Sequence, residues 1–172
     1  MELHLQSHHW ERRAPDWLAA AVAGFAAGAL LMVFELVWSV LVQGAGAATW
    51  AVPRMIAAIA LGPDSLQSTE SGYRVLVTAL VIHYVLGIAF GMALAVVVAP
   101  FHLDSSMALV LLVGGLFGVA LYLFNFYGMV RYFAWFADLR GSAMLLQHVV
   151  FGMAAAGLYR WLERRGELRA RA

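Results

Sequence analysis

Four side chains able to do chemistry stand inside long apolar stretches of this sequence: Glu35, His83, Asn125 and His148. A carboxyl buried among apolar helices could carry a proton, and two imidazoles, a group that titrates near neutrality, could relay it. Tyr84, Tyr122, Tyr127 and Gln147 could extend such a network. The same two imidazoles, a carboxylate and an amide oxygen are also donors for a divalent metal in a bundle core. Alternatively, His83 and His148 could be the axial pair of a b-type haem electron carrier, with Gly87 and Gly152 one turn below them leaving room for the macrocycle. Neither haem nor metal is favoured over no cofactor, because metal motifs usually space their ligands closely, as in His-Glu-x-x-His. A structural role competes with all of these: interhelical hydrogen bonds fix register and are worth about 0.6 kcal/mol each.

Whatever positions these residues must be membrane-embedded. Of 172 residues, 63% are hydrophobic and 12% charged, against about 45–50% and roughly 25% in soluble domains. No soluble fold of this size could hide so much apolar surface. The absence of cysteine excludes disulfides, thiolate metal sites and cysteine nucleophiles. The basic residues are all arginine and too sparse for nucleic-acid binding. No phosphate loop, nucleophile elbow or zinc-protease helix is present, so nothing indicates an enzyme.

Crossing the hydrocarbon core takes about 20 mostly apolar residues. Four segments qualify, at 16–42, 73–99, 107–130 and 141–162, within a single transmembrane domain covering 1–172. A fifth stretch, 47–62, contains Pro53 and Arg54 and is short, which predicts an interfacial or re-entrant segment. Four spans put both termini on one side. Arg12, Arg13, Arg160, Arg164, Arg165, Arg169 and Arg171 lie on that side, and Arg54, Arg74, Arg131 and Arg140 on the other. The bias places both termini in the cytoplasm. The basic tail 160–172 reads as a positive-inside stop that could also meet anionic headgroups. His4, His8 and His9 read as solvated tail residues.

The spans repeat. Gly24 and Gly28 precede Glu35 with the same spacing by which Gly114 and Gly118 precede Asn125. In the second and fourth spans, His83, Gly87 and Gly91 are matched by His148, Gly152 and Ala156. A tryptophan followed by an arginine lies between the spans of each pair, as Trp50 and Arg54, then Trp135 and Arg140. The reading is an all-α four-helix bundle made of two tandem hairpins. Small residues four apart let helix backbones approach closely. At 100° per residue, Gly24, Gly28 and Glu35 fall within about 40° of one another, so each polar residue shares its helix's packing face. With a 1.5 Å rise all four polar residues sit roughly 7–15 Å below the outer surface, forming a layer.

The stretch from Asn125 to Arg140 is dense in aromatics and reads as an interfacial belt with arginine anchors. It could also act as a lid, with Arg54, Arg131 or Arg140 meeting an anionic headgroup or substrate, unless Asp138 neutralises Arg140 or Arg54.

His83 before a small-residue helix, the glycine-rich third span, the aromatic stretch with Trp135, and His148 before a basic tail resemble the YagU-like family of small bacterial inner-membrane proteins. The similarity covers 77–165; the first loop and the lack of cysteine depart from it. It implies a bacterial inner-membrane location and transfers no chemistry. The leading expectation is a non-enzymatic membrane protein whose buried layer handles protons, cations or a metal. Its rival is an accessory or scaffolding subunit of a larger membrane complex. Besides the lipid bilayer, the expected partners are a second copy or that complex.

Overall fold

Four long, almost uniformly apolar helices carry the chain, and a computed structural model describes residues 13–43, 50–67 and 72–170. The helices are α1 (Trp17–Gln43), α2 (Ala51–Leu61), α3 (Tyr73–Val98), α4 (Met107–Leu123) and α5 (Ser142–Ala170). The segments Trp17–Val42, Tyr73–Val98, Met107–Arg131 and Ser142–Gly166 are long and apolar enough to cross a membrane. The expected all-α, four-span architecture is therefore observed, with boundaries that agree within a few residues. His4, His8, His9, Arg12 and Arg171 lie outside the described residues, as does the start of the 47–62 stretch.

Two boundaries differ in kind. The third span leaves α-geometry at Leu123 and continues as a π turn, Phe124–Gly128, followed by 3-10 turns at Met129–Arg131 and Ala134–Leu139. The basic stretch from 160 onward continues α5 as helix through Ala170. Helix α2 has 11 residues, about 16 Å of rise, which is too short for a hydrocarbon core of about 30 Å. Pro53 sits in its first turn, where a missing N–H costs nothing, and Gly62 ends it with φ +85°.

Helix starts are set by side-chain acceptors. Asp16 Oδ1 accepts from the Ala19 amide at 2.9 Å, and Ser106 Oγ accepts from the Leu109 amide at 3.2 Å. Each satisfies an amide that the first helical turn leaves unpaired.

Helices α1 and α3 pack as one antiparallel pair and α4 and α5 as another, while α1 also lies along α5. Helices α3 and α4 scarcely touch. The bundle is thus tight along α1 and α5 and open between α3 and α4.

Equivalent glycines make both pairs close. A Cβ on Gly24 would collide with the Gly87 carbonyl and lie 2.9 Å from Gly91 Cα. A Cβ on Gly114 would collide with the Gly152 carbonyl and lie 2.9 Å from the Ala156 Cβ. Gly28 faces the His83 ring, and Gly118 rests on the His148 backbone. The repeat visible in the sequence is therefore matched in its glycine seams, with a histidine ring against Gly28 where histidine backbone lies against Gly118. The equivalence stops at the connections, since Trp50–Arg54 opens an α-helix and Trp135–Arg140 forms a 3-10 turn.

The half of the bundle nearest the termini is dry, built on Ala20, Ala23, Ala27, Leu94, Val98 and Ala155. Polar groups staple that end. Arg13 reaches Asp104 and Glu163, each at 3.0 Å, and the Tyr159 hydroxyl donates to Glu163 at 3.1 Å. The Asp16 amide donates to the same hydroxyl at 3.2 Å. Burial alone lowers the Arg13 pKa, but the Asp104 hydrogen bond and the charges of Glu163 and Asp104 more than offset it, so the net shift is upward.

Candidate functional site

Glu35, His83, Asn125 and His148 all line one cavity of about 410 Å³ in the half of the bundle away from the termini. Helix α1 supplies Glu35 and, one turn on, Ser39; α3 supplies His83; the π turn carries Asn125; α5 supplies Gln147 and His148. The small-residue seams place Glu35, His83, Asn125 and His148, because each of these shares a helix face with the glycines that close its pair.

The polar contacts fall into three groups. Gln147 Nε2 donates to Glu35 Oε2, joining the two hairpins. His148 Nδ1 lies 2.9 Å from the Met144 carbonyl. A carbonyl only accepts, so Nδ1 carries the proton and Nε2 of the neutral ring accepts from Asn125 Nδ2, at 3.3 Å. His83 Nε2 donates to the Gly28 carbonyl at 2.9 Å, within the first hairpin. The two histidines are equivalent in the repeat but differ in which ring nitrogen donates to a backbone carbonyl, Nε2 in His83 and Nδ1 in His148.

Gln147 is 4% exposed and Ser39 5%. Sequence reasoning did not single out Ser39; its position one helical turn beyond Glu35 was the available signal. Among the described residues no hydrogen bond joins the three tyrosines to the polar layer, but Tyr84 and Tyr122 meet the rings of His83 and His148 edge-on, with centroids 5.7 and 6.1 Å apart. Tyr84 stacks on Phe25 with ring centroids 4.5 Å apart, and Tyr127 lies under the Arg140 guanidinium. The Tyr122 hydroxyl accepts from the Gly141 amide at 3.2 Å.

Apolar side chains make up most of the wall, including Leu31, Leu80, Phe90 and Phe151. Towards the membrane face, α2 and the 3-10 turn Ala134–Leu139 roof the cavity with Pro53, Ile56, Phe136 and Leu139. The roof is latched where Trp135 Nε1 donates to the Met55 carbonyl at 3.0 Å. Towards lipid it is less closed. Leu36 and Leu86 line the cavity while being 56% and 38% exposed.

The outer-face residues have separate fates. Arg140 turns back on its own chain, donating to the Phe126 carbonyl at 2.8 Å with its guanidinium 4.4 Å from the Tyr127 ring centre. It thereby supplies a donor to the π turn that carries Asn125. Arg131 and Asp138 are exposed. Arg54 Nε is buried without a hydrogen-bond partner among the described residues. The ion pairs among the described residues are those of Arg13, so Asp138 neutralises neither Arg54 nor Arg140.

Among the described residues no three His, Asp or Glu side chains gather as a metal site. Both nitrogens of His148 are engaged, and His83 Nε2 is held by a backbone carbonyl of its own hairpin. A shared axial iron would require His148 Nε2 to leave Asn125, and His83 to present Nδ1 or release the Gly28 carbonyl.

The fold and cavity define a multi-pass integral membrane protein with a polar layer buried in one half of its bundle. No family model, curated protein or solved structure matches the chain.

Proposed function

We propose that this is a non-enzymatic protein of the bacterial inner membrane, both termini cytoplasmic, in which Glu35 takes up and releases a proton inside the cavity. The observation that carries the reading is the placing of one carboxylate in an apolar cavity, bonded to Gln147 and sharing that space with His83 and His148. Intramembrane ionisable groups are functional candidates because burying them is costly. The dry packing of the other half, around Ala23, Leu94 and Val98, favours local proton exchange over conduction across the bundle. The arginine excess at the terminal end supports the orientation. The test is proton uptake by the protein in lipid nanodiscs after a pH jump, read with a bulk indicator. Wild type is expected to exceed Glu35→Gln by up to one proton per chain, and equal uptake would overturn the reading.

A scaffolding role is favoured by a different observation: the His83–Gly28 and Asn125–His148 bonds each tie helices within one hairpin. In that case His83→Gln lowers thermal stability and leaves proton uptake unchanged. A homo-oligomer or larger complex would use faces other than the glycine seams, which the hairpins consume internally.

A further inference from the structure

We propose that the cavity binds, from the lipid phase, an apolar molecule whose head group donates an O–H hydrogen bond: a membrane-dissolved phenol or alcohol. Three observations carry this, and none requires Glu35 to exchange a proton, so this inference and the one above stand or fall separately.

The first is access. The aqueous end is roofed by α2 and the Ala134–Leu139 turn and latched by Trp135 on Met55. Leu36 and Leu86, by contrast, belong both to the cavity wall and to the exposed apolar surface. Leu36 stands on α1 and Leu86 on α3, so the wall these helices share with the lipid-facing surface gives the cavity a lateral side.

The second is shape and polarity. A cavity of about 410 Å³ falls within the roughly 300–1,000 Å³ of small-molecule sites. Its polar groups come from a few positions, while apolar side chains, mostly Leu, Ile, Phe and Met, supply most of the wall. An amphiphile with one small head and an apolar body matches that distribution.

The third is the hydrogen-bonding capacity left over. Gln147 and Asn125 each use one amide N–H, on Glu35 and His148. His83 uses Nε2–H on Gly28. What is left is richer in lone pairs than in protons: Glu35 Oε1, Gln147 Oε1 and Asn125 Oδ1, against one spare N–H each on Gln147 and Asn125 and the Ser39 hydroxyl, which both donates and accepts. The buried atoms lacking partners among the described residues are arginine Nε atoms, so these acceptors reach open space and are not sealed in the packing. A hydroxyl both donates and accepts and can satisfy them. An ether or ester cannot donate, and would leave Glu35 Oε1 without a partner while Oε2 keeps Gln147.

The probe is radiolabelled nonylphenol, compared with its methyl ether, in equilibrium binding to the full-length protein in lipid nanodiscs, with empty nanodiscs as background. The expected result is saturable binding of the phenol at least about tenfold tighter than the ether, since sites built for a hydroxyl reject analogues lacking it. Leu80→Trp, which fills the cavity from α3, is expected to abolish it while the melting temperature is retained. Equal affinity for phenol and ether, or no saturable phenol binding above empty nanodiscs, would overturn the proposal. The wild-type comparison decides it even where Leu80→Trp does not fold.

Discussion

Gln147 of α5 hydrogen-bonds Glu35 of α1 across 112 residues of sequence, joining the two hairpins where their polar residues converge. Within each hairpin, glycine seams bring the helices together; between them, this bond crosses the cavity. Removing either partner strands a polar group in an apolar wall. A double-mutant cycle with Glu35→Leu and Gln147→Leu, read by melting in detergent, is expected to give a coupling of about 0.6–1.7 kcal/mol. Additive effects would mean that the contact contributes no coupling.

The glycine seams predict a contrast between near neighbours on α5. Gly152→Ala puts a Cβ against the Gly114 carbonyl and is expected to cost about 1–3 kcal/mol, the usual range for overpacking. Gly157→Ala meets nothing within 4 Å and is expected to be neutral, or to stabilise by up to about 1 kcal/mol through helix propensity. Thermal melting of the two variants side by side checks this. Equal destabilisation would remove the seam from the account.

At the opposite end, Arg13→Met removes one charged hydrogen bond each from Asp104 and Glu163, both buried, while Glu163 keeps the Tyr159 hydroxyl. The expected loss is roughly 1.5–3 kcal/mol, the usual worth of a hydrogen bond to a charged group. Because the Arg13 pKa is raised, its contribution is complete below the ordinary arginine value and fades only as pH climbs through the raised one. The wild-type minus Arg13→Met difference in melting temperature should therefore be flat from roughly pH 7 to 10, well below arginine's titration. A difference that falls steadily across that window would contradict the assignment.

Trp135→Phe removes the single hydrogen bond from the 3-10 turn to the Met55 carbonyl while keeping an aromatic ring. The expected loss is about 1 kcal/mol, concentrated in the roof. Hydrogen exchange over 134–139 and 51–61 should quicken while α4 and α5 stay protected. Unchanged exchange in both segments would show that the latch does not hold the roof.

Much of this was legible in the sequence because lipid imposes simple constraints. Span length identified the four helices, and the repeated glycine spacing paired them correctly, Gly24 with Gly87 and Gly114 with Gly152. Helical periodicity put Glu35, His83, Asn125 and His148 on inward faces at similar depth, and they line one cavity. The gap between α3 and α4 was not legible, because helices apolar on every side carry no periodic signal of which faces meet lipid and which meet protein. Nor was the π turn at Phe124–Gly128, whose departure from α-geometry accompanies contacts made later in the chain, notably Arg140 on the Phe126 carbonyl. Arg140 illustrates the general difficulty: its position near a membrane face suggests an anchor, while its guanidinium satisfies a carbonyl that only the folded chain leaves open.

The most direct test of the central claim, that Glu35 is a protonatable carboxyl within reach of the lipid phase, is labelling by a hydrophobic carbodiimide. Such reagents modify protonated carboxyl groups from the apolar side. With the protein in liposomes and labelled sites mapped by mass spectrometry, the account predicts modification at Glu35 that increases as pH falls and is absent from Glu35→Gln. Labelling confined to other carboxyls, with Glu35 unmodified at every pH, would contradict it.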